Sequence, residues 1–553
     1  MKLVLVASAL LLFSTDTLAQ HAHSPAGEAK PAALMSGLGE VHHPVSTANA
    51  EAQRFFDQGL ALVYGFNHDE AVRSFSRAAE LDPQLAMAHW GVALALGPNI
   101  NMDIDAEREK AAYEAIQKAL TLVSKASEPE RAYIDALAKR YSNDPSADLK
   151  KLAVDYKNAM ADLARRFPDD LDAATLYAES IMDLRPWRLW SKDGKPAEGT
   201  EELVAVLESA LRRDPQHIGA NHYYIHAVEA SPNPEWALPS AQRLKVLAPA
   251  AGHLVHMPAH IDIRSGNYEA AARSNAYAAE ADRQYFKLTG QQGMYPIMYY
   301  SHNLHFLAVA HGVEGRYQDA KRAADQLEAH LSPYLREGGP TVEAALPMFD
   351  GFMPTSTLTM VRFRRWDDIL KARQPDQKLV STTILWHFAR AMAYASTGKL
   401  DAAEKERSIV ASALKTLPAD RMFGFNSASI VLTIAENVLS AKIALARNDR
   451  RSAIEYLRKA VNLEDSLNYD EPEDWYIPVR ESLGAAMIAN GDYAEAEKVF
   501  RAELEKHRRN GRALFGLLEA LKGQGEKHAA EFVQREFDAA WKNADTKLRI
   551  EDL

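Results

Sequence analysis

Apolar and polar residues alternate with a helical period over most of the chain. From about residue 50 onward, segments rich in alanine and leucine place apolar residues three and four positions apart, and strand-like alternation is rare. That spacing puts the apolar side chains on one face of an α-helix. The pattern therefore predicts an all-α protein.

A repeat of 34 residues organises these helices. The unit that begins at Ala52 has small, aromatic and turn residues at positions 8, 20, 24, 27 and 31–32, which are Gly59, Ala71, Phe75, Ala78 and Asp82-Pro83. Further units begin at Ala86, Leu171, Ile218, Gly252, Ser301, Ile384, Ile434, Ile477 and Gly511. These motifs resemble the tetratricopeptide repeat (TPR), a helix–turn–helix unit.

The resemblance implies a TPR-type α-solenoid. Alanine or glycine at positions 8 and 20 lets the two helices of a unit approach closely, while an aromatic residue at position 17 or 24 fills the gap between units. Since no unit buries its apolar face alone, units stack into a curved solenoid with a concave groove. Insertions interrupt the repeat at residues 185–199, before Ser301 and at residues 335–350. We expect insertions near the histidine-rich units to roof part of the groove.

The N-terminus predicts export. Lys2, the apolar run from Leu3 to Phe13 and the small-residue site at Ala19 form the pattern of a cleavable signal peptide. The expected divisions are a signal peptide (1–19), a flexible linker (20–49), an N-terminal TPR region (50–170), a histidine-rich TPR region (171–334) and a C-terminal TPR region (335–553). We expect a periplasmic or secreted protein without a transmembrane segment.

Charge and composition narrow the possible chemistry. The chain has 553 residues and a net charge of −11, with acidic and basic residues interleaved. Nucleic-acid phosphates call for a basic face, so this charge argues against a nucleic-acid partner. Cysteine is absent from the sequence, so any metal ion must be held by nitrogen and oxygen ligands.

Seven histidines recur at equivalent positions of three successive repeats. They occupy positions 2, 5 and 9 of the units that begin at Ile218, Gly252 and Ser301, and they are His222, His226, His253, His256, His260, His302 and His305. Positions three or four residues apart lie on one stripe of a helix. In TPR proteins this stripe lines the concave groove, so the resemblance implies that the imidazoles converge there.

Convergent imidazoles without thiolates suit a transition metal such as copper, zinc or iron. Two carboxylates on the same stripe, Glu179 and Glu229, are candidate catalytic bases beside a metal-bound water, or additional ligands. Pro258 lies between His256 and His260, where we expect a kink or a helix start. Trp187, Trp190, Tyr299 and Tyr300 are candidates for pocket walls, although aromatic residues at repeat interfaces are commoner.

Three interpretations of the histidines stay open. They hold metal ions, they line a metal-free groove for a peptide, a small molecule or a protein partner, or they are structural. A metal centre would serve either a hydrolytic or oxidative metalloenzyme or a metal-trafficking protein without catalysis. The motifs HYYIHAVEAS and HLVHMPAHIDIR also resemble a group of exported bacterial TPR proteins, and this resemblance implies no particular activity.

Overall fold

The computed structural model describes residues 32–553, so the signal peptide and the first part of the linker lie outside the described residues. The N-terminal repeats contain α1 (Ala50–Tyr64), α2 (His68–Leu81), α3 (Ala86–Leu96), α4 (Ala106–Leu122), α5 (Glu128–Leu137) and α6 (Leu149–Arg166). The histidine-rich repeats contain α7 (Leu171–Met182), α8 (Thr200–Arg213), α9 (Ile218–Val228), α10 (Leu238–Leu247), α11 (Gly252–His256), α12 (Pro258–Arg264), α13 (Tyr268–Thr289), α14 (Ser301–Val313) and α15 (Tyr317–Glu337).

The C-terminal region continues the same architecture. Its helices are α16 (Pro340–Phe352), α17 (Thr355–Arg362), α18 (Trp366–Lys371), α19 (Val380–Ser396), α20 (Leu400–Thr416), α21 (Ala428–Ala446), α22 (Arg450–Glu464), α23 (Val479–Asn490), α24 (Tyr493–Lys506), α25 (Gly511–Gln524) and α26 (Lys527–Ala540). Short 3-10 turns lie at Val123–Lys125, Pro234–Ala237 and Ile550–Asp552, and a π-helical turn spans Pro296–Tyr300. The described strands, β1 (Met422–Phe423) and β2 (Asn426–Ser427), form one antiparallel hairpin.

Helices that are adjacent in sequence pack against each other through the described chain, for example α1 on α2, α2 on α3 and α3 on α4. This stacking of helical hairpins confirms the predicted all-α, TPR-type solenoid. Local sequence sets many helix boundaries. Asn49 caps α1 by accepting the backbone N–H groups of Glu51 and Ala52. Gly491 and Gly525 end α23 and α25 in the left-handed conformation, which glycine adopts without steric cost.

A glycine–phenylalanine contact joins successive helices at both ends of the array. A Cβ atom built on Gly59 would lie 2.6 Å from the ring of Phe75, and one built on Gly91 would lie 2.4 Å from the same ring. Gly484 and Gly516 contact Phe500 in the same way, with corresponding distances of 2.4 and 2.1 Å. The aromatic ring therefore fills a space that only glycine leaves open, as the repeat motif predicts.

Residues 32–49, which belong to the predicted linker, lie against the repeats. The backbone N–H of Ala250 donates to the carbonyl of Gly37 over 2.8 Å. The Nδ1 atom of His43 lies 2.8 Å from Asp172 Oδ2, and the backbone N–H of Ser46 donates to Glu130 over 2.6 Å. This part of the linker is therefore anchored to α5, α7 and the loop after α10.

The C-terminal helices return to the histidine-rich repeats. Trp541 packs against Gly315 so closely that a Cβ atom there would lie 2.3 Å from the indole. The hydroxyl of Tyr268 donates to the carbonyl of Arg508 over 3.1 Å, and the backbone N–H of Tyr317 donates to Asp545 over 2.8 Å. Because α1 also packs on α9, segments from both ends of the described chain contact the histidine-rich repeats.

Among residues 32–553, only α21 is long and apolar enough to cross a membrane, with a mean hydropathy of 1.5. Within the fold, 61% of that segment is buried, and α21 packs against α19, α20 and α22. These contacts are those of a core helix of the array.

Candidate metal centre

Four helices of three successive repeats supply the clustered histidines. α9 carries His222 and His226, and the imidazole of His217 caps its N-terminus by accepting the backbone N–H of Ala220. α14 carries His302 and His305. Between these repeats, the expected break at Pro258 is present, because α11 ends at His256 and α12 begins at Pro258. His260 therefore lies on a separate short helix from His253 and His256.

His222, His226 and His253 form a first triad. One nitrogen from each ring lies within 4.8 Å of the others, and all three residues are buried. The Nε2 atoms of His222 and His253 are 3.1 Å apart. The Nδ1 atom of His222 lies 2.7 Å from the carbonyl oxygen of Tyr64. That carbonyl can only accept a hydrogen bond, so it fixes the proton of neutral His222 on Nδ1 and leaves the lone pair on Nε2.

His256, His260 and His302 form a second triad with the same spacing, in which His302 is partly exposed. The Nε2 atoms of His256 and His260 lie 2.8 Å apart, and the Nδ1 atom of His256 lies 2.7 Å from Asn275 Oδ1. The amide group of Asn275 donates in turn to the carbonyl of Ala271, which keeps its oxygen directed at His256. The second triad therefore also has an anchored outer nitrogen.

Glu229 contacts one histidine of each triad. Its Oε1 atom lies 2.7 Å from His226 Nδ1, and its Oε2 atom lies 2.6 Å from His260 Nδ1. Burial opposes ionisation of this carboxyl, but the His260 and His226 rings hold its pKa well below the usual range. A carboxylate on the outer nitrogen is the usual second partner of a metal-ligating histidine. Both carboxylate oxygens therefore lie against triad imidazoles, and these contacts orient the His226 and His260 rings.

Four of the six triad rings favour the neutral form, which is the form that binds metal. Burial lowers the pKa of His222, His253, His256 and His302 well below the ordinary value, and neighbouring imidazoles lower it further. His260 differs: burial lowers its pKa, but the Glu229 carboxylate outweighs burial and the pKa is raised. The sequence-predicted stripe therefore becomes a cluster of mostly neutral imidazoles.

Aromatic rings enclose the two triads. Phe66, in the turn between α1 and α2, has its ring centroid 4.5 Å from that of His222, 5.7 Å from that of His226 and 5.4 Å from that of His253. Phe306 contacts all three rings of the second triad. Tyr299 packs on His253 with centroids 4.7 Å apart. These rings reduce the local dielectric and strengthen electrostatic interactions inside the cluster.

Two predicted site residues, unlike Glu229, belong to neither triad and form no hydrogen bond or ion pair with a triad histidine among the described residues. His305 packs against Phe352 and Tyr476, and burial lowers its pKa to about 4. Glu179 accepts the hydroxyl of Tyr223 over 3.1 Å. Burial and the neighbouring Asp183 carboxylate raise the Glu179 pKa, while Arg140 opposes them. The contacts of Glu179 are with this polar network rather than with the triad histidines.

A large cavity lies near the first triad, although none of the six triad histidines is among its lining residues. Its volume is about 2120 Å³, and its lining includes Trp187, Arg264, Phe425 and Tyr469. The predicted insertion at 185–199 contributes one wall, and Trp190 anchors it by donating to the carbonyl of Ala227 over 2.7 Å. The Trp187 ring lies 5.9 Å from that of His226 and 4.9 Å from that of Phe425, measured between centroids. Trp187 therefore stands between the cavity and the first triad.

A third group of possible ligands, His43, Asp170 and Asp172, is of a different kind. Asp172 accepts from the Tyr64 hydroxyl and lies 2.8 Å from His43 Nδ1 and 3.2 Å from His217 Nε2. Burial opposes ionisation of Asp172, yet the two histidines hold its pKa well below the usual range. These contacts occupy the carboxylate, so the group links residues 32–49 to the repeats.

Sequence reasoning missed Phe66, Tyr64 and Asn275. Phe66 and Tyr64 reach the first triad from the first of the N-terminal repeats, and no local spacing reports that contact. Asn275 had a signal: it occupies position 24 of its unit, where the units at Ala52 and Ile477 have phenylalanine.

No protein-family model and no curated protein sequence matches this chain. Among solved structures, the human IFIT1 dimer with m7Gppp-AAAA is similar at 13% identity over 89% of this chain and 91% of that chain, with a TM-score of 0.32. Yeast Tom70 is similar at 12% identity over 88% of this chain and 96% of that chain, with a TM-score of 0.30. The P58(IPK) TPR domain is similar at 11% identity over 86% of this chain and 99% of that chain, with a TM-score of 0.22. Values this low transfer no ligand or partner, so the chain's own geometry defines it as a TPR-type solenoid with a histidine cluster.

Proposed function

We propose that this chain is a transition-metal protein in which each of the two triads holds one ion. The arrangement of the outer nitrogens is the observation that carries the proposal. Four of the six rings have Nδ1 beside a fixed acceptor: the Tyr64 carbonyl, the Asn275 amide and both oxygens of Glu229. A structural histidine needs only one satisfied nitrogen. Second partners that turn several Nε2 atoms toward one another are typical of metal sites.

The donor set fits copper, zinc or iron. Imidazole nitrogen suits these ions, and the sequence offers no thiolate to select a softer site. Burial favours the neutral ring in most of the triad residues, so little competition from protons is expected near neutral pH. Three nitrogen ligands per ion leave a further coordination position, which catalytic sites retain and saturated structural sites do not.

An enzyme, hydrolytic or oxidative, is the form of this proposal that the cavity supports. Trp187 both lines this cavity and packs on His226, so this side chain alone would separate a substrate in the cavity from the first triad. Glu229 would position His226 and His260, and Glu179 would act in the separate network with Tyr223. A metal-trafficking protein without catalysis is the alternative, and exchange of the bound ion with a chelator within minutes would favour it over an enzyme.

Metal analysis of protein made without a histidine tag tests the proposal. Apoprotein is loaded separately with copper, zinc and iron, desalted and analysed for bound metal. We expect two equivalents of at least one metal in the wild type, one after His222→Ala or His256→Ala, and none after both. His311→Ala is the matched control, because His311 pairs with Glu314 on α14 outside the triads. Wild-type protein that stays empty with all three metals would refute the proposal.

A metal-free ligand site is a second candidate function, favoured by the size and aromatic lining of the cavity. It would hold a peptide, a small molecule or a segment of a partner protein. Wild-type protein that binds no metal but still binds such a ligand, and that loses this binding in the Trp187→Ala variant, would support it.

For the location of the protein we propose export, in line with the resemblance to exported TPR proteins. N-terminal sequencing of protein recovered from the periplasm, expected to begin at Gln20, tests this.

A further inference from the structure

The candidate metal centre has a shortage of negative charge. Each triad consists of imidazoles alone, and among the described residues only Glu229 forms an ion pair with a triad histidine. Two divalent ions would bring four positive charges against this single carboxylate. Glu471 acts on His260 from further away, but Arg264 also acts on Glu471 and offsets its charge. Uncompensated charge among buried aromatic rings is unfavourable, because the rings replace the water that would otherwise solvate it.

The side of the first triad that faces the cavity has an unused hydrogen-bond donor. Trp187 Nε1 is buried and meets no acceptor within residues 32–553. An indole N–H can only donate, so its natural partner is an acceptor or an anion. The His226 Nε2 atom on the neighbouring ring is also buried without a hydrogen-bond partner in the described part of the chain. Both atoms therefore lack a hydrogen-bond partner among the described residues, and the centroids of their rings are 5.9 Å apart.

The backbone at Trp187 is unusual in the same place. Its φ of 58° lies in the left-handed region, which bulky residues rarely adopt. Such conformations are strained and persist where surrounding structure imposes them, often at ligand sites. Here the insertion is held by the Trp190 hydrogen bond to Ala227, one residue from His226. The insertion is thus fixed to α9 in a way that keeps the Trp187 indole at the first triad.

We propose that the metal-loaded centre binds a small anion at the first triad and that the Trp187 N–H donates a hydrogen bond to it. The inference rests on the proposed metal centre and adds its exogenous ligand. The anion supplies the negative charge that the protein ligands lack, and it enters from the cavity. Hydroxide is the anion available in water, because a divalent ion makes bound water much more acidic. Azide is a suitable probe, since it is a small anion that competes for the same position.

The experiment titrates copper(II)-loaded protein with sodium azide and follows the azide-to-copper charge-transfer absorption. The wild type is expected to give a saturable band. Trp187→Phe keeps the ring but removes the N–H, so we expect the same copper content and azide affinity lower by about tenfold, the usual effect of losing a hydrogen bond to a charged group. Trp386→Phe is the control, because it also removes a buried indole N–H that has no hydrogen-bond partner among the described residues, but on α19, outside both triads and the cavity lining. Its azide affinity is expected to equal that of the wild type.

The outcomes separate this inference from the proposed function. Protein that takes up none of copper, zinc and iron overturns both. Two bound coppers without an azide band overturn the anion site alone. Equal azide affinity in wild type and Trp187→Phe, at equal copper content, overturns the role of the indole. Phe425→Leu is a second control, because it removes the ring beside Trp187 without touching a donor. If it weakens azide binding as much as Trp187→Phe does, packing rather than the N–H is responsible and the proposal fails.

Discussion

The Nε2 atoms of His222 and His253 lie 3.1 Å apart, although the residues belong to successive repeats and are separated by 31 positions in the sequence. Two neutral imidazoles at this distance share at most one proton, and His222 already has its Nδ1 atom beside a carbonyl oxygen. His253 Nδ1 has no hydrogen-bond partner among the described residues, so neutral His253 can carry its proton on Nε2 and donate it to His222 Nε2. A metal ion between the two rings would replace this hydrogen bond, because both Nε2 atoms would become ligands once the His253 proton moves to Nδ1.

Replacing Glu229 by glutamine is expected to weaken metal binding at both triads. Glutamine keeps the shape but can accept from only one of the two Nδ1 atoms, and it removes the negative charge that lies beside both rings. Loss of such an outer partner typically reduces metal affinity about 10–100-fold. Competition with a chromophoric chelator measures the affinities of the two sites.

Glu314→Gln is the control for this change. Glu314 pairs with His311 over 3.0 Å with the same three-residue spacing as Glu229 and His226, but its histidine is in neither triad. Its metal affinities are expected to match those of the wild type. A Glu229→Gln protein with unchanged affinity at either triad would show that the carboxylate does not couple the two sites.

Asn275→Leu is expected to weaken the second triad alone. Leucine is similar in size but cannot accept the His256 Nδ1–H, so that ring loses its fixed orientation. The first triad has its own anchor at Tyr64 and keeps its affinity. A titration in which only one of two binding steps moves to higher free metal would agree with this prediction, whereas equal weakening of both steps would contradict it.

The repeat frame predicted much of the centre because it reports which residues share a helix face. Six of the seven predicted histidines belong to the two triads, and Glu229 lies three residues after His226 as the stripe requires. His305 follows the same local pattern yet packs against Phe352 and Tyr476 instead. Which residues of a stripe face the next repeat depends on the curvature between repeats. That curvature arises from the packing of many interfaces together.

The local sequence pattern does not predict contacts between distant repeats. Tyr64 and Phe66 contact the first triad because α1 packs on α9, and the 34-residue period carries no information about that meeting. The anchoring of residues 32–49 was missed for a related reason. Their composition resembles a linker, and their hydrogen bonds form only with side chains and backbone groups that the folded repeats present.

Gly59→Ala is expected to destabilise the N-terminal repeats. The added methyl group would lie 2.6 Å from the Phe75 ring, which is also in close contact with Gly91 and with the ring of Phe56. Overpacking of this kind typically costs about 1–3 kcal/mol. Chemical denaturation followed by circular dichroism measures the free energy of unfolding.

Gly351→Ala is the matched control. Gly351 is also helical, but no packing neighbour lies within 4 Å of the position that its Cβ atom would take. Alanine at this position should therefore be neutral or stabilising by up to about 1 kcal/mol.

The buried His305 is expected to make the metal-free protein sensitive to acid. Burial lowers its pKa from 6.5 to about 4. Above pH 6.5 the ring is neutral in both the folded and unfolded states and adds no pH dependence. As the pH falls from 6.5 toward 4, the unfolded chain takes up a proton that the folded ring does not, so stability is lost. At pH 5 the loss from this ring is on the order of 2 kcal/mol.

Comparing wild type with His305→Gln isolates this contribution, because every other titrating group is common to both proteins. We expect the variant to lose less stability than the wild type between pH 7.5 and pH 5, measured by urea denaturation of chelator-treated protein. His528→Gln, at an exposed position of α26, should behave like the wild type. Equal losses in the wild type and His305→Gln would mean that the His305 ring takes up a proton in the folded state as readily as in the unfolded chain, for instance through water that reaches it between Phe352 and Tyr476.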